Sequence, residues 1–298
     1  MEVTTLHEQY RNHAGQWQRC RDAFAGQDAV KARGQSSQVI SKEKHNYLGT
    51  EYLPALEDQQ EAQYQKYKKR ALWFGATKRT VRALVGSIIR KPMQLAGMEG
   101  NKWEEHLRDV TLSGVSLPML TQRVIREVML VGRYGILADL ATNGADTPRL
   151  VGYNAESMTN WDTENIQGKT ALSLLVLAEL YTVPNADRFK RERKQQFRVL
   201  YLDGVDGPPV VQVEVWRRKI EDGKETDTWV ITEGPTPLER LGQPLREIPF
   251  TFFNPTTLEP EVEESPVLEL VDANLDHYRL DADLKNRLHL YGVPTPYF

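Results

Sequence analysis

Cysteine is almost missing from this chain. Cys20 is the only one in 298 residues, which excludes an intramolecular disulfide framework and a cysteine-rich zinc site. Long apolar runs are missing too. The longest, Leu172 to Leu180, is interrupted by Ser173 and Glu179 and falls well short of the roughly 20 apolar residues of a membrane span. The N-terminus, MEVTTLHEQYRNH, lacks the basic-then-apolar order of a signal peptide. The six histidines show no HExxH-type spacing, and no Walker A sequence marks an ATP-driven motor. A net charge of −3 leaves no surplus of Lys and Arg to coat nucleic acid by bulk electrostatics, although it permits loose contact. With 40% apolar and 27% charged residues, the composition points to a soluble intracellular protein of one large domain or two smaller ones, with no membrane partner.

The strongest pattern present is a C-terminal helix, Ser265 to about Leu290. Ser265 offers an N-cap oxygen and Pro266 occupies the first helical position. Val267, Val271, Leu275, Tyr278 and Ala282 form an apolar stripe. Glu269, Asp272, Asp276, Arg279 and Asp283 form a charged, mostly acidic one at the same three- and four-residue spacing. Lys285, Arg287 and His289 lie toward the negative end of the helix dipole.

Ahead of it, residues 1–50 are polar and read as an N-terminal arm, partly flexible, in which Leu6, Tyr10, Trp17, Cys20 or Phe24 could line a short helix. After Tyr52-Leu53-Pro54, a capping box at Asp58 and Glu61 opens one long amphipathic helix that ends at Lys91-Pro92. Its basic residues are spread around the polar faces, which favours a solvated or subunit-contacting surface over a nucleic-acid patch. A shorter helix starts at Asn101 or Lys102. Another is capped near Ser116 and stopped by Gly132-Arg133-Tyr134-Gly135, read as a sharp turn with glycines at positive φ that leads into a strand, Ile136 to Leu140.

From about Arg149 the period changes to two. Strands are expected at 150–153, 172–183, 197–202, 210–216 and 228–232, separated by Asn-Gly and Asp-Gly turn signals, with one face packed and one wet. Residues 187–194 read as a charged loop, 248–253 as a short apolar strand, and 259–264 as an acidic linker. No nucleophile, base or metal cluster stands at a recognisable spacing. No active site is assigned and no cofactor is implied.

Three stretches carry a likeness in order: TEYLPALEDQQEAQYQKYKKRALWFGATKRTVRALVGSIIRKP (50–92), VGRYGILADL (131–140), and IPFTFFNP with ESPVLELVDANLDHYRLDADLKNRLHLYGVPTP (248–296). Together they resemble tailed-bacteriophage portal proteins, in particular a portal-like family usually described only as a domain of unknown function. The resemblance runs from about Tyr52 to the end. It implies an α+β subunit of a ring, typically of twelve copies, at the capsid vertex of the virion, assembled in the host cytoplasm. Through such a ring terminase packs double-stranded DNA, which later leaves by it, and the ring contacts capsid protein and a head–tail adaptor.

By the same resemblance, 51–140 would be a helical wing, 141–260 a β-rich wing, 261–290 the first stem helix and 291–298 the start of the clip, where the chain stops short of the family's length. Glu269, Asp272, Asp276 and Asp283 would then face the channel or a neighbouring subunit. Acidic side chains lining a channel would repel phosphate at ranges of about 8 Å, letting DNA slide. Lys285 and Arg287 would make weak phosphate contacts at the clip end. Another head–tail adaptor or connector component is the alternative. A DNA-processing enzyme has the least support, because no metal-binding carboxylate motif can be named.

Overall fold

A computed structural model describes residues 2–33, 51–56, 59–91, 93, 101–140, 148–166, 168–183, 189–204, 208–221, 224–240 and 242–292. The protein is a mixed α+β chain ending in a long helix. It divides into two compact units that cut across the segments expected from sequence. One comprises Met1–Gly15, Gln94–Val128 and Gly132–Glu263; the other Gln16–Met93, Met129–Val131 and Glu264–Phe298.

The first unit is built on two antiparallel sheets. Strands β1 (Tyr134–Leu140), β2 (Pro148–Asn154) and β10 (Phe250–Phe253) form the smaller, in the order β10-β1-β2. The larger is a meander of β3 (Met158–Ile166), β4 (Lys169–Val183), β5 (Glu192–Asp203), β6 (Val210–Glu221) and β7 (Lys224–Pro237). A two-stranded ribbon pairs β8 (Glu239–Arg240) with β9 (Gln243–Pro244). Every expected strand is present. The sequence reading missed β3, because MTNWDTENI is rich in residues that disfavour strands; its pairing with β4 and the burial of Met158 and Trp161 hold it. Arg193 and Lys194, expected in a loop, are ladder residues of β5, and Lys194 Nζ sits 2.8 Å from Glu225.

The larger sheet is covered on both faces, not one. Leu175, Leu177, Leu200 and Val211 join Leu137, Met158, Trp161 and Phe252 on one side. Val176, Phe197 and Val199, with Trp216 and Trp229 against them, fill the other. The near-continuous apolar run of β4 serves both faces at once. The two sheets of this unit share a cluster of charges. Asp139 accepts from Arg149 (2.9 Å) and Arg198 (3.2 Å), while Glu179 takes Arg198 Nε (3.0 Å) and the Tyr153 hydroxyl (2.6 Å).

Helices α5 (Asn101–Arg108) and α6 (Leu117–Val131) start where expected, although the Ser116 side chain makes no cap hydrogen bond. Gly132 ends α6 at φ +79°, so the turn needs a glycine there. Gly135 does not share that role. It lies inside β1, where a Cβ would collide with Phe250 and Met158.

The second unit is helical and overturns the arm reading for residues 16–33. From Trp17 onward, α1 (Glu8–Ala25) buries Trp17, Cys20 and Ala23 completely, and α2 (Gln27–Ala32) buries Val30. Asp22, itself buried, receives the Arg33 guanidinium (2.6 and 2.8 Å) and the Tyr52 hydroxyl (2.9 Å). Residues 34–50, most of the remaining arm, lie outside the described residues, as do Asp58 of the expected capping box and Pro92.

The single long helix expected over 58–91 is two: α3 (Glu61–Arg70) and α4 (Ala76–Ile88). Between them the backbone donors that would continue the helix go to side chains. Leu72 N–H donates to Asp281 (2.7 Å) and Trp73 N–H to Gln27 Oε1 (3.4 Å).

Candidate interaction surface on the C-terminal helix

The helix α7 (Leu268–Tyr291) begins two to three residues later than its sequence suggests. Ser265 does not act as its N-cap. The Ser265 side chain is buried, donates to Leu130 O (2.8 Å) and accepts from Val267 N–H (3.2 Å), tying the entry of the helix to the end of α6.

Three faces run along α7 at a period of about 3.6 residues. The first is the expected apolar stripe. Val267, Val271, Leu275, Tyr278 and Ala282 are each at most 4% exposed, buried within the second unit, where α3 and α4 of the same chain pack on α7. Trp73 meets Tyr278 edge-on at 5.9 Å. This stripe is therefore occupied from within the chain.

The acidic face is only partly free. Asp272 pairs with Arg19 (3.3 Å) and Asp276 with Arg279 (2.7 Å), both solvent-exposed pairs worth little. Asp283 accepts the Tyr67 hydroxyl (2.5 Å), and burial together with this carboxylate pushes the Tyr67 phenol well above its usual range. Its side chain thus points back toward α3. Among the described residues Glu269 makes no hydrogen bond or ion pair. Lys285 is held by Asp281 (2.9 Å) one turn earlier, whereas Arg287 stands in solvent without a partner among the described residues. The structure thus brings the predicted residues onto one helix but leaves Glu269 and Arg287 as the unengaged charges.

The third face was not seen in the sequence. Leu280, Leu284 and Leu288 recur every four residues and Tyr291 follows three later, with exposures of 68, 62 and 84% at Leu280, Leu288 and Tyr291 and 57% at Leu284. Apolar side chains of this size in a row on a helix are unusual unless a partner covers them. The signal was present at i, i+4, i+8 spacing, but it competes with the buried stripe for the same pattern, and only burial separates the two.

Cys20, the lone thiol, is fully buried, and burial pushes it up to about 11, which makes it a core residue with little thiolate at neutral pH. Among the described residues no three His, Cys, Asp or Glu side chains converge as a metal site would require. None of the described helices is long and apolar enough to cross a membrane. No protein-family model matches the chain. A search of curated proteins likewise finds no match.

Proposed function

We propose that this chain is a subunit of a bacteriophage portal ring, a structural channel at the capsid vertex through which terminase drives double-stranded DNA. The observation that carries this reading is the leucine face of α7, exposed beside an acidic face on a helix whose third side the chain already fills. A ring built by head-to-tail contacts needs two different complementary surfaces on each copy. The leucine face supplies one. The helices α3 and α4 and the break between them supply another, with Leu72, Phe74, Leu84 and Ile88 exposed among the exposed bases Lys66, Lys69, Arg79 and Arg82.

In the ring, Glu269, Asp272 and Asp276 keep DNA phosphate from sticking, and Arg287 is the freer of the two basic candidates for a passing phosphate contact. Lys285 stabilises Asp281 instead. The full-length gene product, imaged by negative stain, is expected to form an annulus of about twelve copies with a central hole. Leu284→Asp with Leu288→Asp should reduce it to monomers of unchanged helicity. A wild-type gene product that is monomeric at every concentration, or rings untouched by the double substitution, would overturn the reading.

A further inference from the structure

The first unit carries a small polar pocket that the ring reading does not use. About 330 Å³ in volume, it is lined by Arg123, Arg126 and Glu127 of α6, Tyr134 of β1, and Gly152, Asn154 and Ser157 around the end of β2. Local structure brings these together. Positions 123, 126 and 127 share one helix face by their three- and four-residue spacing. In the β1–β2 ladder Tyr134 lies opposite Asn154, and its ring crosses diagonally over Gly152. That crossing requires glycine, since a Cβ at 152 would run into the Tyr134 hydroxyl. The pocket therefore has a flat backbone floor, a phenol wall and two guanidinium groups at its mouth.

Its charge is lopsided. Glu127, the one carboxylate of the lining, is buried and accepts Arg126 Nη2 at 3.3 Å, while the side chains of Arg123 and Arg126 stay open to solvent. The charge of Arg123 lies close enough to the Tyr134 hydroxyl to oppose the rise that burial gives its pKa. The Asn154 amide and Ser157 hydroxyl make no side-chain hydrogen bond to any described residue. Donors thus converge from two elements, α6 on one side and the β2 end on the other. A planar carboxylate is satisfied by one guanidinium fork. A tetrahedral oxyanion, with oxygens pointing several ways, suits donors on opposite walls. The volume is at the low end of small-molecule sites and does not match the long convex backbone of a duplex.

We propose that this pocket binds the phosphate group of a small molecule. Calorimetric titration of the full chain with inorganic phosphate, at constant ionic strength, should show one saturable site. Arg123→Gln and Arg126→Gln should each weaken it roughly tenfold or more, the effect of losing a charge-assisted hydrogen bond. Ser157→Ala, a small change at a turn, should weaken it by a few-fold and provides the test if either arginine variant fails to fold by circular dichroism. Lys169→Gln, an exposed charge outside the pocket, should leave it unchanged. No saturable binding, wild-type affinity in the arginine or serine variants, or an equal loss in Lys169→Gln would overturn the proposal. So would a short DNA duplex that binds more tightly than phosphate and is lost in the same variants.

Discussion

Arg133 is a charge completely removed from water. Its guanidinium lies 4.4 Å from the ring centroids of both Trp161 and Phe252, and Nη1 donates to Glu261 O at 3.1 Å. Nε and Nη2 have no partner among the described residues, and burial lowers its pKa to about 9. His7 stacks on Trp161 at 4.0 Å, extending the pile of rings. Two contributions therefore oppose each other: packing and cation–π attraction favour the side chain, while desolvation penalises its charge. Arg133→Met, which keeps the bulk and removes the charge, is expected to leave stability within about 1 kcal/mol or to raise it. Arg133→Ala should cost about 3 kcal/mol by opening a cavity between the rings. Urea unfolding of the two variants measures the difference, and equal losses would show that the charge itself is required. In the sequence Arg133 was legible only as part of a glycine-flanked turn. Its burial depends on rings far along the chain, which no local pattern announces.

The break between α3 and α4 shows the same limit one level up. Helical periodicity continues across 71–75, so sequence reading runs the helix through it. Asp281 of α7 ends it by taking the Leu72 N–H while pairing with Lys285. Burial alone would raise the Asp281 pKa. The Lys285 ammonium and the Leu72 amide outweigh it, so the carboxyl is held below its ordinary 3.8. A carboxyl with a lowered folded pKa contributes stability that is complete above its unfolded pKa. That contribution is lost as pH falls below about 4. Asp281→Ala should then cost about 1–2 kcal/mol and speed hydrogen exchange at Leu72, whereas Lys285→Ala should cost only about 0.5 kcal/mol. An unchanged Leu72 exchange rate in Asp281→Ala would show that the break has another cause.

Across the whole molecule, buried phenols set the response to alkali. Burial raises Tyr52, Tyr64, Tyr67, Tyr153 and Tyr278 above the ordinary value of 10, with Tyr64 pushed up to about 12. An acid whose folded pKa is raised supports the fold fully below its unfolded pKa. Between pH 10 and 12 the unfolded chain loses those protons and the folded chain keeps them, so stability falls. Arg133 acts the other way, because its folded pKa of about 9 lets the native state shed a buried charge. Lys31 and Lys68, whose pKa values burial also lowers, act in the same direction as Arg133, but the five phenols, joined by Tyr10, Tyr134 and Tyr201, outnumber these three and leave the net sign negative. The urea midpoint should be flat from pH 7 to 9 and drop steeply by pH 11, with tyrosinate absorbance at 295 nm rising in step with unfolding. Tyrosinate appearing while the fold is intact would contradict the burial argument.

Much of the architecture is local in origin and could be read directly. The stripe from Val267 to Ala282, the strands of the meander, and Gly132 at the end of α6 all follow from side-chain period or backbone freedom, which short segments carry within themselves. What only the tertiary structure decided was where each surface ends up. It covered one apolar stripe of α7 with the chain's own helices and left the leucine stripe bare. It drew Asp283 back to Tyr67, interrupted a helix with a distant carboxylate, and gathered Arg123, Arg126, Asn154 and Ser157 around one pocket. Period tells which residues share a face; only long-range packing determines whether that face meets protein or water.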